Sequence, residues 1–403
     1  MKDIHKAAIK SPSPSAKADE KHDLVCFSHL RWDFVFQRPQ HLMSRFACDR
    51  RVFFIEEPIS EHGEPELEMT HPIPNLTRCV PKVSGESADE IAARMREVVS
   101  YLSDGFEIVD PILWFYTPMM IDWAEPLFPG AAVIYDCMDE LSKFRFAPPE
   151  LLANEARLLN AANLVFAGGK TLYEAKRKKH PNVHAFPSSI DAQHFRQARS
   201  EQPDPGDQKH LSRPRIGYAG VIDERIDLVL LDELAKLRPD VNIVMLGPVV
   251  KIDPMSLPRH GNITYLGQKS YSELPGYFAH WDIGIMPFAL NESTEFISPT
   301  KTPEYLAAGL PVISTAVRDV VDPYGLNRLV RIAGSASEMA SAIDDLLSED
   351  RKAAQARADE FLADRSWDRT YQEMCKLIEP LTSLDVSGQK LNGNFQFENS
   401  AYG

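Results

Sequence analysis

The chain has little cysteine, no long apolar run and fewer basic than acidic residues, and each deficit removes a class of function. Its five cysteines, Cys26, Cys48, Cys79, Cys137 and Cys375, are odd in number and widely scattered. No Cys-x-x-Cys pair occurs, which argues against zinc and thioredoxin-type redox sites, and a reducing cytoplasm is the expected setting. Cys26, inside the apolar run Leu24-Val25-Cys26-Phe27, reads as a buried free thiol. Nothing approaches the roughly 20 apolar residues that a spanning helix needs, and residues 1–22 lack the apolar stretch of a signal peptide. A cytoplasmic chain, peripheral to the inner membrane at most, is therefore expected. The 58 acidic residues outnumber 44 basic ones and set a formal charge of -14. That balance excludes nucleic acid as an expected partner, because phosphate neutralisation needs a basic face. No Gly-x-Gly-x-x-Gly opens either half of the chain, which argues against a nicotinamide-dependent dehydrogenase.

What is present is the composition of an ordinary globular protein, 44% hydrophobic and 25% charged over 403 residues. That length exceeds what one core usually supports, so two domains are expected. Residues 1–22, with Ser-Pro-Ser-Pro and almost no large apolar side chain, are expected to be a disordered tail. From Asp23 onward, short apolar runs at 24–27, 52–55, 112–116, 131–135, 164–167 and 183–186 alternate with helical stretches such as 149–162. This is the order of parallel strands joined by crossover helices, and it sets an N-terminal domain at 23–196. Pro, Gly and charge then mark 197–214 as a linker. The rhythm restarts with runs at 215–218, 242–246, 263–266, 283–286 and 311–314, followed by helices at 335–347 and 350–362, giving a C-terminal domain at 215–364. A last helix is expected at 365–380 and a flexible tail at 381–403. Two such domains enclose a cleft, a usual place for a ligand.

The strongest local signal is Ser298-Pro299-Thr300-Lys301-Thr302-Pro303-Glu304-Tyr305-Leu306-Ala307-Ala308-Gly309. It reads as a helix capped by Ser298 or Thr302, with Pro299 or Pro303 in the first helical position and Gly309 ending it. Free amide groups and the positive helix end make a diphosphate-type site. Lys301 adds a mobile positive charge, and Glu304 can accept hydrogen bonds from both hydroxyls of a ribose.

This segment resembles the donor-binding helix of GT-B glycosyltransferases, in particular glycosyltransferase family 4 and related bacterial family 1 type proteins. Residues 182–191 with His194-Phe195 resemble the family's strand and turn leaving the first domain. Residues 215–220 resemble its first strand of the second domain, and Ser366-Trp367-Asp368 the start of its closing helix. The resemblance implies an α/β fold of two Rossmann-like domains facing each other across a cleft, with a C-terminal helix closing back toward the first domain. It implies a hexosyltransferase-type enzyme that moves a sugar from a nucleoside-diphosphate sugar to a glycan or lipid-linked acceptor in bacterial polysaccharide or envelope-glycan synthesis, with retention. No cofactor and no metal are expected beyond the nucleotide-sugar co-substrate, and the sequence has no Asp-x-Asp motif. The implied donor-binding set is Gly220, Arg225, Ser298, Thr300, Lys301, Thr302 and Glu304. Arg225 reads equally as a surface arginine paired with Asp223 or Asp227. One departure stands out: the family's acidic pair lies eight positions apart, but eight positions before Glu304 is Phe296, with Glu295 one place off and Glu292 further up the loop.

In the first half, residues 27–41 join the first strand to the first helix and concentrate His29, Arg31, Trp32, Asp33, Gln37, Arg38 and His41. Ligands of parallel sheets bind at strand C-termini, so Arg31 and Arg38 are candidate phosphate or acceptor contacts. A structural network bracing the helix is the alternative, since buried charges need partners. Asp136, Asp33 and His29 are the candidate catalytic residues. Asp136 and Asp139, paired after a strand, can accept a proton from an acceptor hydroxyl or serve as helix caps or partners of Arg31 or Arg38. Residues 267–271 can contact the base or form an ordinary turn, and the basic run 176–180 is a solvated helix end or an anionic-lipid contact. Two other functions fit the same pattern: a nucleotide-sugar epimerase, and a non-catalytic scaffold of the same fold.

Overall fold

The structure is a computed structural model and describes residues 21–61, 66–85 and 87–382. The expected tails therefore lie outside the described residues except at 21–22 and 381–382. His22 is held in place, its ring nitrogens pairing with the Asp110 and Thr382 carbonyl oxygens at 2.7 and 3.1 Å.

Fourteen strands are present among the described residues: β1 (Leu24–Ser28), β2 (Val52–Glu56), β3 (Glu66–Ile73), β4 (Leu76–Lys82), β5 (Ile112–Phe115), β6 (Ala132–Cys137), β7 (Leu164–Ala167), β8 (Val183–Ala185), β9 (Arg215–Ala219), β10 (Asn242–Leu246), β11 (Ile263–Gly267), β12 (Ile283–Met286), β13 (Val312–Ser314) and β14 (Arg331–Ile332). They form an eight-stranded sheet, ordered β3-β4-β2-β1-β5-β6-β7-β8, and a six-stranded sheet, ordered β11-β10-β9-β12-β13-β14. Every pairing is parallel except that of β3 with β4. This is the expected pair of Rossmann-like domains.

The apolar runs become parallel strands, with β8 and β11 at sheet edges and the others inside, and are apolar because both faces of each sheet are covered by helices. Side chains of β1 alternate accordingly. Val25 and Phe27 enter one core with Phe53, Ile55, Leu113 and Phe115, whereas Leu24 and Cys26 enter the other with Phe54, Ile112 and Trp114. Cys26 is the buried free thiol expected. The hairpin β3–β4 carries no such run. β3 points Glu66, Glu68 and Thr70 to solvent while Leu67 and Met69 pack inward, and a charged face suits a sheet edge. Asn75, at φ 60, closes its turn, a conformation that asparagine tolerates.

The boundary between domains falls earlier than the one read at residue 196. Ile190, Phe195 and Ala198 are buried in the second core, so the first crossing between domains precedes Ile190. Residues 197–214 are likewise packed on the second domain: the Trp281 indole donates to Gln208 Oε1 at 3.1 Å, and Asp204 pairs with Arg215 at 2.7 Å. Proline and charge in this segment therefore mark an ordered strap. The return crossing lies beside the first, with the Trp367 amide donating to the Ile190 carbonyl at 3.3 Å.

The last helix, Trp367–Thr382, closes back on the first domain as expected, burying Trp367, Met374 and Ile378 in that domain's core. Trp367 stacks on His41 with centroids 4.7 Å apart. Replacing it by alanine is expected to cost about 3–5 kcal/mol, the usual loss for a large buried aromatic side chain. Equilibrium urea unfolding measures this, and a loss below about 1 kcal/mol would show that the helix is not integral to the first domain.

Candidate active site

In both sheets the strand order reverses beside the first strand of the domain, between β1 and β5 and between β9 and β12. Loops leaving the carboxyl ends on either side of such a point splay apart and leave a crevice. Here the two crevices face each other across a single open cleft. Val35, Gln37 and Arg38 after β1, Asp139 after β6, Gly168 after β7 and Ser188 after β8 line one wall. Tyr218, Val221 and Arg225 from β9 and its following loop, with residues 297–301, line the other.

The second wall is built around the helix Lys301–Ala308. Thr300 precedes it with φ -60 and ψ -24, and no side chain caps it. The expected caps are thus corrected. Thr302 is fully buried and its hydroxyl donates to Met286 Sδ at 3.5 Å, so it belongs to the core rather than to the donor site. Ser298 and Pro299 line the cleft as part of the approach, and Pro303 sits in the helix's first turn. Gly309 ends the helix at φ 82, as expected of a left-handed C-cap. The uncapped end therefore presents its positive dipole to the cleft.

Lys301 reaches along this wall, its Nζ donating to Thr300 Oγ1 at 3.1 Å. Gly220 does not line the cavity; it makes room for Lys301. A Cβ at Gly220 would stand 2.8 Å from Lys301 Cε and 2.8 Å from the Tyr218 hydroxyl. Gly247, at φ 142, would collide with the Gly220 carbonyl if it bore a side chain, so the two loops can meet only with glycine at 247. Glu304 is 8% exposed and lies behind the cavity lining. Burial pushes its carboxyl up and the nearby Lys301 charge opposes that rise.

Arg225 lines the cleft and is also paired. It grips Asp223 with contacts of 2.7, 2.9 and 3.2 Å and lies over the Phe144 ring at 5.5 Å. The pairing with Asp223 read from the sequence is thus present, at a residue that also faces the cleft: burial works against its charge, but Asp223 outweighs it and keeps the guanidinium above its ordinary range.

On the first wall the polar loop after β1 resolves into separate roles. Arg38 opens the helix Arg38–Phe46 and is 2% exposed. It binds Asp136 through Nε at 3.0 Å to both oxygens and through Nη2 at 2.8 Å, and its Nη1 donates to the Phe186 carbonyl at 2.8 Å. Burial pushes the Asp136 carboxyl up and Arg38 opposes that rise. Asp136 has no exposed surface, so its expected role as a base gives way to the structural one. Arg31 donates to Glu56 at 3.0 Å and to the Glu57 carbonyl at 2.6 Å. Asp33 is mostly exposed and pairs with Arg78 at 2.9 Å. Neither lines the cleft. His29 also lies outside the lining. Burial, aided by the Lys251 charge, pushes its imidazole down to about 4, so it stays neutral across the physiological range.

The departed acidic pair is explained by packing. Phe296 stands where the first glutamate would be and packs against the first domain's core. Glu295 is exposed, and Glu292 is an exposed rim residue that accepts from Lys143 at 3.3 Å. Neither lines the cleft. Asp139 does, and it was legible only as one of two equivalent carboxylates; the difference lies in Arg38, which claims one and leaves the other. Burial pushes Asp139 up to about 6, moderated by Arg225.

Comparison with known proteins agrees with this architecture. Residues 213–349 match the family described as Glycosyl transferases group 1. A curated relative, the putative teichuronic acid biosynthesis glycosyltransferase TuaH of Bacillus subtilis (strain 168), is 27% identical over 221 residues, which are 50% of this chain and 55% of that protein. The match thus spans about half of the relative's length. Among solved structures, sucrose-phosphate synthase from Thermosynechococcus elongatus superposes with a TM-score of 0.66 at 14% identity, covering 90% of this chain and 99% of that one. HepE from Anabaena, determined with UDP and glucose, gives 0.62 at 15% identity, covering 89% and 100%. These likenesses establish the GT-B fold.

The ion pairs yield a direct contrast. Asp136→Ala leaves Arg38 buried without its partner and is expected to cost about 3–5 kcal/mol, whereas Asp33→Ala, at an exposed pair, is expected to change stability by about 1 kcal/mol or less. Chemical denaturation of the two variants checks this, and equal losses would contradict the assignment.

Proposed function

We propose that this chain, a GT-B-fold protein whose residues 213–349 form a group 1 glycosyl transferase domain, transfers a sugar from a nucleoside-diphosphate sugar to a hydroxyl of a glycan or lipid-linked acceptor. The observation that carries the reading is the uncapped start of the helix Lys301–Ala308, set in an interdomain cleft with Lys301 and Arg225 beside it. As the bond between sugar and diphosphate breaks, negative charge grows on the leaving phosphate. The helix end and the two cations are already in place to meet it, so little reorganisation is needed. This charge set supplies the stabilisation without a divalent cation. A ribose held beyond Thr300 would meet Glu304, whose carboxylate accepts from paired hydroxyls.

The relative's printed role in teichuronic acid biosynthesis supports placing the reaction in polysaccharide or envelope-glycan synthesis. A structural neighbour determined with UDP makes UDP the first nucleotide to try. Retention at the anomeric carbon is part of the proposal and follows from the resemblance to family 4.

Calorimetric titration with UDP tests the donor site. Lys301→Ala and Glu304→Ala are each expected to weaken UDP binding by about 10-fold or more, the effect of losing a hydrogen bond to a charged group. Unchanged affinity in both variants would place the donor elsewhere. Incubating the protein with donor alone separates the epimerase, which would yield an epimerised sugar detectable by NMR.

A further inference from the structure

We propose that the Asp139 carboxylate receives the acceptor's hydroxyl in the cleft and takes its proton as the new glycosidic bond forms. The assignment rests on the transferase reading above.

The carboxylates around the cleft are not equivalent. Asp136 is bound by Arg38, Asp223 by Arg225 and Glu292 by Lys143. Asp319, reaching from the second domain, accepts from the Thr171 amide and hydroxyl at 3.2 and 2.5 Å. Asp139 lines the cleft, and no hydrogen bond or salt bridge is made by its carboxylate among the described residues. A half-buried carboxylate left unpaired costs stability, so its retention in the cleft wall points to a partner that arrives with the substrate.

Its support is rigid. A Cβ on Gly168 would stand 2.8 Å from both the α-carbon and the carbonyl oxygen of Met138, so glycine alone lets β7's exit pack under the loop. Next to Asp139, Glu140 accepts from the fully buried Lys176 at 2.7 Å. Lys176 also binds Glu155, which accepts from the Tyr135 hydroxyl at 3.1 Å. This buried cluster pins the backbone on one side of Asp139 while leaving its side chain free, as a group that must meet a reacting hydroxyl requires.

The charged groups facing Asp139 are Arg225 and Asp223 from the loop after β9, Arg38 from the first helix and Lys251 from the loop after β10. Arg225, which lines the cleft, therefore acts on both the proposed diphosphate site and Asp139. Because Phe296 removes the glutamate expected on the second wall, Asp139 supplies the acidic group from the first. A carboxyl near pH 6 is ionised at neutral pH yet basic enough to accept a proton in the transition state. In the step, the acceptor oxygen bonds to the anomeric carbon on the face from which the phosphate departs, so the configuration is retained; the bond from that carbon to the phosphate oxygen breaks, and its electron pair leaves with the nucleoside diphosphate. The hydroxyl proton passes to Asp139 and then to solvent.

The test uses the full chain with UDP-glucose and other UDP-sugars as donors and octyl glucoside as hydroxyl acceptor, reading UDP release from pH 5 to 8. Wild-type turnover should fall as the pH drops through about 6, where Asp139 becomes protonated. Asp139→Asn should lose about 100-fold or more in kcat and lose that acid limb, with UDP affinity unchanged and the melting temperature unchanged or raised. Asp139→Glu should recover part of the turnover. An Asn variant with wild-type turnover and pH profile overturns the assignment alone, as does one whose melting temperature and UDP affinity both fall. A wild-type chain that binds UDP but releases none from any donor overturns the transferase reading, and this assignment with it.

Discussion

The buried pair of Arg38 and Asp136 is the constraint on which the cleft depends. A guanidinium and a carboxylate removed from water must satisfy each other or be very costly, and here the geometry allows three short contacts between them. The remaining Arg38 donor goes to the Phe186 carbonyl. One side chain thereby joins the start of the first helix, the carboxyl end of β6 and the exit of β8. Those three places carry Gln37, Asp139 and Ser188, which make up much of the first wall. The pair also decides chemistry by subtraction, because the carboxylate it consumes is no longer available to a substrate.

The second wall obeys a steric constraint instead. Lys301 lies against Gly220, where a Cβ would crowd it, and Gly220 is itself approached closely by Gly247. Between the walls the domains are tied at several separate places. Phe36 stacks on Tyr271 at 4.7 Å between centroids, Ser188 donates to the Ser298 carbonyl at 2.7 Å, and Asp319 caps the helix Lys170–Lys176 of the first domain, whose own leading residue, Gly169, has no capping side chain. These contacts join the two walls at places apart from the two covalent crossings.

Much of the fold was legible in the sequence because parallel strands buried on both faces must be apolar throughout. Eleven runs read that way all correspond to strands. The edge hairpin β3–β4 was not, since β3 faces water on one side and its alternation of Glu with Leu or Met resembles a polar loop, while Thr77, Arg78, Pro81 and Lys82 interrupt the apolar residues of the buried β4; the Pro74-Asn75 turn was the signal available. Residues 197–214 misled for the opposite reason. Proline, glycine and charge describe chain that forms no regular element, not chain that is free, and Gln208 and Asp204 find buried partners there.

The segment 298–309 by itself determined that a helix would start at Pro299 or Pro303, end at Gly309 and offer its positive end to an anion, because capping and helix polarity are local properties of a few consecutive residues; the observed start, Lys301, lies between the two. Which residue caps it was not decided locally, and Thr302 turned inward to the core. The roles of Asp33, Asp136 and Asp139 were decided only by tertiary structure. A carboxylate's chemistry depends on which charges and how much water surround it, and Arg38, 98 residues away in sequence from Asp136, is brought beside it by the sheet alone.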